Sequence, residues 1–426
     1  MAVSEGNAPT EEKRTGLFWN RDFRLLWGGQ SVSELGSQIS LLALPIVAVI
    51  TLHATTLEVG LLTAASTAAF LLVGLPAGAL VDRMHRRRVL IWADVGRTIT
   101  LGSIPVAYAF NALTIAQLYA VALVTGVLTV FFDVAYQSYL PSLIGRANLV
   151  EGNAKLQGSA SVAGVAGPSA AGGLIELLRA ANAMAVDAGT FVISFLTVWA
   201  IRATEPPPAP KSERRALRHE IAEGISFVVR HPILRAIAGT TGTANFFNGV
   251  QTAVEIVFLV RVVHQPPGII GVLFAFGSAG GLLGAFMASK VAQWVGGARA
   301  TIWAIGIGGL AGLLLPLTTR GPGLILFAVG MFVGSWGALV YNVNQVSFRQ
   351  RLCPERLLGR MNASMRFLVW GTLPLGGILG GVLGTTIGVR NGLWVAGAGG
   401  TLAIGWLLFS PIRHLRDFPV EHEDGS

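Results

Sequence analysis

Apolar runs of about twenty residues follow one another along most of this chain, and charge is compressed into the short segments between them. Roughly 20 apolar helical residues cross a hydrocarbon core. Inside that core every backbone polar group must be satisfied within the helix itself. The pattern restricts the chain to an all-α integral membrane protein. Of its 426 residues 52% are hydrophobic and 12% charged, against about 25% charged in a soluble domain. One soluble core cannot absorb this much apolar sequence, because cores stop growing near about 300 residues.

Twelve membrane spans are expected, near 23–50, 57–81, 88–110, 113–140, 155–178, 184–202, 234–260, 269–295, 300–318, 322–347, 365–388 and 391–410. The polar N-terminus has no short apolar core with a small-residue cleavage site, so the first span reads as an uncleaved anchor. Only 203–233 is a long polar connection. Its proline run cannot be helical, and Lys211–Arg230 reads as a basic amphipathic helix lying on the membrane surface. The expected organisation is a tail (1–22), a six-helix bundle (23–202), a central loop (203–233), a second six-helix bundle (234–410) and a C-terminal tail (411–426).

The net charge of +9 in a soluble protein would suggest nucleic acid. Position decides otherwise. With both termini cytoplasmic, 26 of the 31 Lys and Arg residues fall in inner segments. Only Arg179, Arg261, Arg320 and Arg390 fall outside, and Arg97 lies within a span. This is the positive-inside bias of a plasma-membrane protein facing anionic lipid. The single Cys353 rules out an intrachain disulfide and disfavours a cysteine metal cluster.

The two halves resemble each other. Aligned 209 residues apart, 132–154 and 341–363 pair Asp133 with Asn342, Val134 with Val343, Asn153 with Asn362 and Ala154 with Ala363. Such weak identity at matching positions is what duplicated transporter halves show. Gly376, Gly380, Gly384 and Gly388 recur every fourth residue, as do Gly277/Gly281 and Gly280/Gly284. Small faces of this kind let helix backbones approach closely in lipid.

The turn after span 2 reads PAGALVDRMHRRRVL, with Gly78, Asp82, Arg83, Arg86, Arg87 and Arg88 in a fixed spacing. It resembles motif A of the major facilitator superfamily, departing from it where His85 replaces a glycine. A carboxylate there can cap a helix N-terminus, while the arginines meet carboxylates and headgroups. Span 5, SVAGVAGPSAAGGLI, is similar to that superfamily's antiporter motif through Gly164, Gly167, Pro168, Gly172 and Gly173, with one extra residue after Gly167-Pro168. In the family this feature marks exporters more than importers. Gly and Pro there would bend span 5 and bring its neighbours close. Span 1 and span 11 add a resemblance to the branch that exports drugs, macrolides and siderophores. The resemblance implies two pseudo-symmetric six-helix bundles working by alternating access, with spans 1, 4, 7 and 10 lining a central cavity.

Ionisable groups at membrane depth are costly and stand as functional candidates. Span 1 carries Gln30, Glu34 and Gln38 on one stripe; span 7 carries Asn245, Asn248, Thr252 and Glu255. Desolvation penalises a charged carboxylate at the depth of Glu34, which suits proton uptake and release; a hydrogen-bonded packing role is the alternative. Asp133 should share a depth with Arg97, with Asp94 one helical turn away. Pairing of Asp133 with Arg97 or with motif A, and direct protonation of Asp133, both stand. The surroundings expected of the cavity are apolar and aromatic, from Trp27, Phe131, Phe132, Phe246, Phe247, Trp336 and Tyr341.

No phosphate-binding loop, Gly-x-Ser-x-Gly or His-Glu-x-x-His occurs, so neither an enzyme nor a cofactor or metal site is expected. The sequence reads as a monomeric secondary transporter that exchanges protons for an amphipathic organic compound such as an antibiotic or siderophore. Import or uniport of a small metabolite is the alternative.

Overall fold

A computed structural model describes residues 17–81, 83–145, 148–203, 205, 225–353 and 355–417. Every regular element among the described residues is helical. The first half contains α1 (Arg21–Ile46), α2 (Thr56–Val81), α3 (Arg86–Ala109), α4 (Ile115–Ile144), α5 (Leu149–Leu178) and α6 (Ala180–Trp199). The second contains α7 (Pro232–Val257), α8 (Pro267–Val295), α9 (Gly297–Gly312), α10 (Leu324–Leu352), α11 (Glu355–Trp370), α12 (Thr372–Leu383) and α13 (Val389–Leu402).

Among the described residues, 10 stretches are long and apolar enough to cross a membrane. Two features separate that count from the twelve expected. The α7 helix, interrupted by Thr240, Thr241, Thr243, Asn245 and Asn248, is not among them, and Ser364–Leu408 forms one stretch of 45 residues holding both α12 and α13. Expected span 11 is divided as well: α11 ends before Gly371, and α12 runs into a π turn at Gly384–Gly388. The surface helix expected at Lys211–Arg230 lies outside the described residues up to 224, and 225–230 is helical.

The repeat inferred from scattered identities is sharper in the backbone. The pairs Arg21 and Pro232, Thr56 and Pro267, and Arg86 and Gly297 begin corresponding helices 211 residues apart. The same interval separates the π turns that start at Val47 and Phe258. It also separates His53 (φ 52°) and His264 (φ 57°), which turn the chain afterwards through the left-handed region.

Helices α1 to α6 pack among themselves, as do α7 to α13, and the halves meet mainly along α5 with α8 and α2 with α12. The apolar cores show how the halves meet along their length. At the end that carries the α1–α2 and α7–α8 turns, one core joins both halves, from Ile39, Leu62, Leu118 and Ile175 to Val257, Ile270, Phe327 and Leu393. At the opposite, basic end there are two separate cores, one around Phe23, Leu90 and Tyr139, the other around Leu234, Phe348 and Met365. The halves are sealed together at one end and divided at the other.

Glycine sets the seams. A Cβ on Gly172 would lie 3.0 Å from Gly271 Cα and 2.5 Å from Pro267 O. One on Gly381 would lie 3.1 Å from Gly60 Cα, and one on Gly380 2.6 Å from Val250 O. Lipid supplies no hydrophobic drive between helices, so association rests on such close packing. We expect Gly380→Val to lower the melting temperature of the purified protein in detergent by several degrees. Gly28→Ala, whose added Cβ meets nothing within 4 Å, should leave it unchanged.

Candidate functional site

Three neighbouring cavities share lining residues in succession. The first, about 560 Å³, lies among α1, α4 and α5 and is lined by Gln30, Glu34, Tyr136, Asn153, Gln157 and Ser159. Gln157 also borders a second, of about 360 Å³, between α5, α8 and α10, which Gly164 lines as well. Met331 and Ser335 join that one to a third, of about 340 Å³, containing Asn245 and Asn248. The polar stripes of the two sequence halves therefore border neighbouring cavities. Gln30 Oε1 and the Tyr136 hydroxyl are buried there without hydrogen-bond partners, an arrangement that favours a ligand or water able to satisfy them.

Not every expected residue joins the site. Gln38 packs under Gly167, where a Cβ would lie 2.8 Å from its own Cβ. Thr252 is exposed outside these linings. Glu255 is only 4% exposed, beside the shared core, with Gln251 Nε2 donating to it at 3.0 Å. Phe132 and Tyr341, expected at the cavity, are buried in the two basic-end cores.

The charge network also differs from expectation. Arg97 forms its ion pair with Asp94 rather than with Asp133, and Asp94 is fully buried. The guanidinium carbon lies over the rings of both Phe132 and Phe191, 4.2 Å from each centroid. One turn of helix brings Asp94 to Arg97 without crossing to another element, so the local pair wins. Asp133 instead lines a cleft of about 210 Å³ with Phe70, Arg366 and Trp370. Sequence reading missed Asp187, buried in α6 and hydrogen-bonded by Ser40 and Thr190, within the field of Arg97. The signal was present, since a lone carboxylate interrupts an apolar run; the expected start of span 6 at 184 made it look terminal.

At the basic end the motif A arginines hold helix termini. Glu205 accepts from the backbone N–H of Arg86 (2.8 Å) and Arg87 (3.2 Å), capping α3, with the Arg86 guanidinium at 3.7 Å. Arg87 donates to the Val198 and Trp199 carbonyls at the end of α6, at 3.2 and 2.6 Å. Both contacts follow helix polarity, a carboxylate at an N-terminus and a cation at a C-terminus. Asp417 repeats the device in the second half, accepting from Gly297 N at 2.8 Å. Asp82 lies outside the described residues; Arg83 and Arg88 are exposed, and an added Cβ on Gly78 would meet nothing within 4 Å. Of the antiporter-motif residues, Gly167 makes close contact with α1 and Gly172 with α8, and a Cβ on Gly271 would run into the Pro168 carbonyl; a Cβ on Gly164 or Gly173 would meet nothing within 4 Å.

Removing Arg97 would leave Asp94 buried without its cation, a change that costs about 3–5 kcal/mol in buried pairs. Arg97→Ala should therefore melt well below wild type when followed by tryptophan fluorescence. Arg97→Lys should recover only part of the loss, because an ammonium cannot stack on aromatic rings as a planar guanidinium does.

Comparison with known proteins agrees with this architecture. The pattern of the Major Facilitator Superfamily matches residues 26–371. The multidrug efflux pump Tap of Mycolicibacterium fortuitum is 29% identical over 81% of this chain and 84% of its own. The enterobactin exporter EntS of Escherichia coli is 27% identical over 80% of each. Among solved structures, a mutant of the nucleoside transporter NupG superposes with a TM-score of 0.79 at 11% identity, over 91% of this chain and 99% of that one. A bacterial homologue of the iron transporter ferroportin, 16% identical, superposes at 0.75 in its inward-facing state, over 92% of this chain and 98% of that one. Its outward-facing state superposes at 0.59, over 91% and 98%. The chain belongs to the Major Facilitator Superfamily of membrane transporters, and its relatives fall in that superfamily's drug and siderophore exporter branch.

Proposed function

We propose that this protein is a proton-coupled exporter of an amphipathic organic compound, working by alternating access between two six-helix bundles of a twelve-span fold. The observation that carries the reading is a succession of neighbouring cavities that share lining residues. They run from Glu34, with the unsatisfied Gln30 Oε1 and Tyr136 hydroxyl, to the amides of α7. The basic end is the cytoplasmic one, so the cavity is open inward and sealed outward, and both chain termini are cytoplasmic in the plasma membrane. The better superposition on an inward-facing than an outward-facing relative supports that state. The protein acts as a monomer, each bundle keeping its own core at the open end.

Exchange requires that one site release its compound when a proton arrives. Glu34 lines the cavity and is the carboxyl that meets both. Asp133, in its cleft between the halves beside Arg366, couples protonation to their relative position. Motif A and the Glu205 cap keep α3 and α6 fixed while the bundles rock, and the glycine seams at the sealed end are where they pivot.

In acid-loaded inverted vesicles followed with a pH-sensitive dye, we expect hydrophobic antibiotics and siderophores to dissipate the gradient in wild type. Glu34→Gln should abolish that response and Asp133→Asn should weaken it. Binding of these compounds with no proton movement would overturn the coupling and return the chain to uniport or import.

A further inference from the structure

Helix correspondence exposes a difference between the halves. Arg97 is the twelfth residue of α3 and Phe191 the twelfth of α6; their counterparts, twelfth in α9 and α13, are Gly308 and Gly400. Where the first half packs a guanidinium against an aromatic ring, the second has two hydrogen atoms. The space is not collapsed: Gly308 and Gly400 both line the third cavity of about 340 Å³, among α7, α9, α10 and α13.

Packing does not require all of these glycines. A Cβ on Gly309 would lie 2.7 Å from Thr401 Cα, so that glycine serves the α9–α13 contact. On Gly400 a Cβ would meet nothing within 4 Å, and on Gly334 only Gly308 O at 3.8 Å. Those two leave room that a side chain would otherwise take. The chamber has an entrance: α7 and α10 are tied by Thr241 to Tyr341 at 2.7 Å and by Gln251 to Met331 at 3.8 Å. Between the two ties, Ser335 lines both this chamber and the neighbouring cavity.

No ionisable side chain is among the residues that line it; its polar groups are Asn245, Asn248, Gln251 and Ser335, with Phe247 on the wall. Burying a charge against amides and glycine backbone is costly, whereas an uncharged group can trade hydrogen bonds with the amides. A dry cavity of about 150 Å³ holds benzene, so this one has room for a two-ring system. We propose that the chamber is a second binding subsite that takes an uncharged, planar, hydrogen-bonding ring system of the transported compound. The proposal rests on the reading of the chain as a transporter of amphipathic compounds, and divides recognition between Glu34 in one half and uncharged amides in the other.

The test uses full-length protein in proteoliposomes bearing Gly400→Cys, with wild type, whose Cys353 is buried, as background. Three thiosulfonates of one reaction chemistry serve as probes: benzyl (uncharged, planar), sulfonatoethyl (anionic) and trimethylammonioethyl (cationic). We expect the benzyl reagent to react at least about tenfold faster than either charged one. Adding Ser335→Trp at the entrance should slow it by a similar factor. Equal rates for charged and uncharged reagents, no reaction with any, or no effect of Ser335→Trp would overturn the subsite; the last would mean entry from lipid. Gly334→Cys repeats the measurement should Gly400→Cys fail to fold. In the vesicle assay Gly400→Leu should abolish the response to uncharged ring compounds and spare that to aliphatic cations. A wild type that moves no compound while the labelling pattern holds would sink the transport reading and leave the chamber standing.

Discussion

Backbone-to-backbone contact at glycine joins the two halves of this protein, and the rest of the structure is arranged around those seams. Gly172 meets Gly271 between α5 and α8, and Gly60 meets Gly381 between α2 and α12. Two helices in hydrocarbon gain nothing by hiding apolar side chains from a solvent that is itself apolar, so they hold together only where their surfaces fit closely. Both seams lie toward the end where one apolar core runs through both halves. Toward the basic end the cores part, and the cleft of Asp133 and Arg366 is lined from both halves. The halves are in tight contact at one end and separate at the other.

Each half is also braced internally, and the two are braced by different chemistry. The first is cross-linked by charge: Arg97 with Asp94, Asp187 with Ser40 and Thr190, and Glu205 across the starts of α3 and the motif A arginines. A buried ion pair is weak as a source of stability but exacting in geometry, since either partner alone is costly. The second half relies on glycine contacts of α12 with α7 and of α8 with α10. The same duplicated framework thus places Glu34 and Tyr136 at a cavity of the first half and Asn245, Asn248 and Gln251 at one of the second, with Glu255 behind Gln251.

Much of this was legible in the sequence. The apolar runs and the charge compressed between them determined an all-α membrane protein and the place of most of its long helices, because the bilayer enforces length and polarity on each span separately. Motif A and the glycine-proline stretch of α5 determined the superfamily, and repeated glycines indicated close helix contacts. These are local properties, readable one segment at a time.

Tertiary structure decided which groups meet. Sequence depth put Asp133 and Arg97 level with each other, yet Arg97 pairs with Asp94 and lies over rings from two other helices. Glu205 in the linker and Asp417 near the C-terminus gave no sign of capping helices more than a hundred residues away. The open chamber beside Gly400 was equally hidden, since a glycine that makes room and a glycine that makes contact are the same letter. Which of the two it is depends on how far away the neighbouring helix stands, and that distance is set by side chains distributed over the whole bundle.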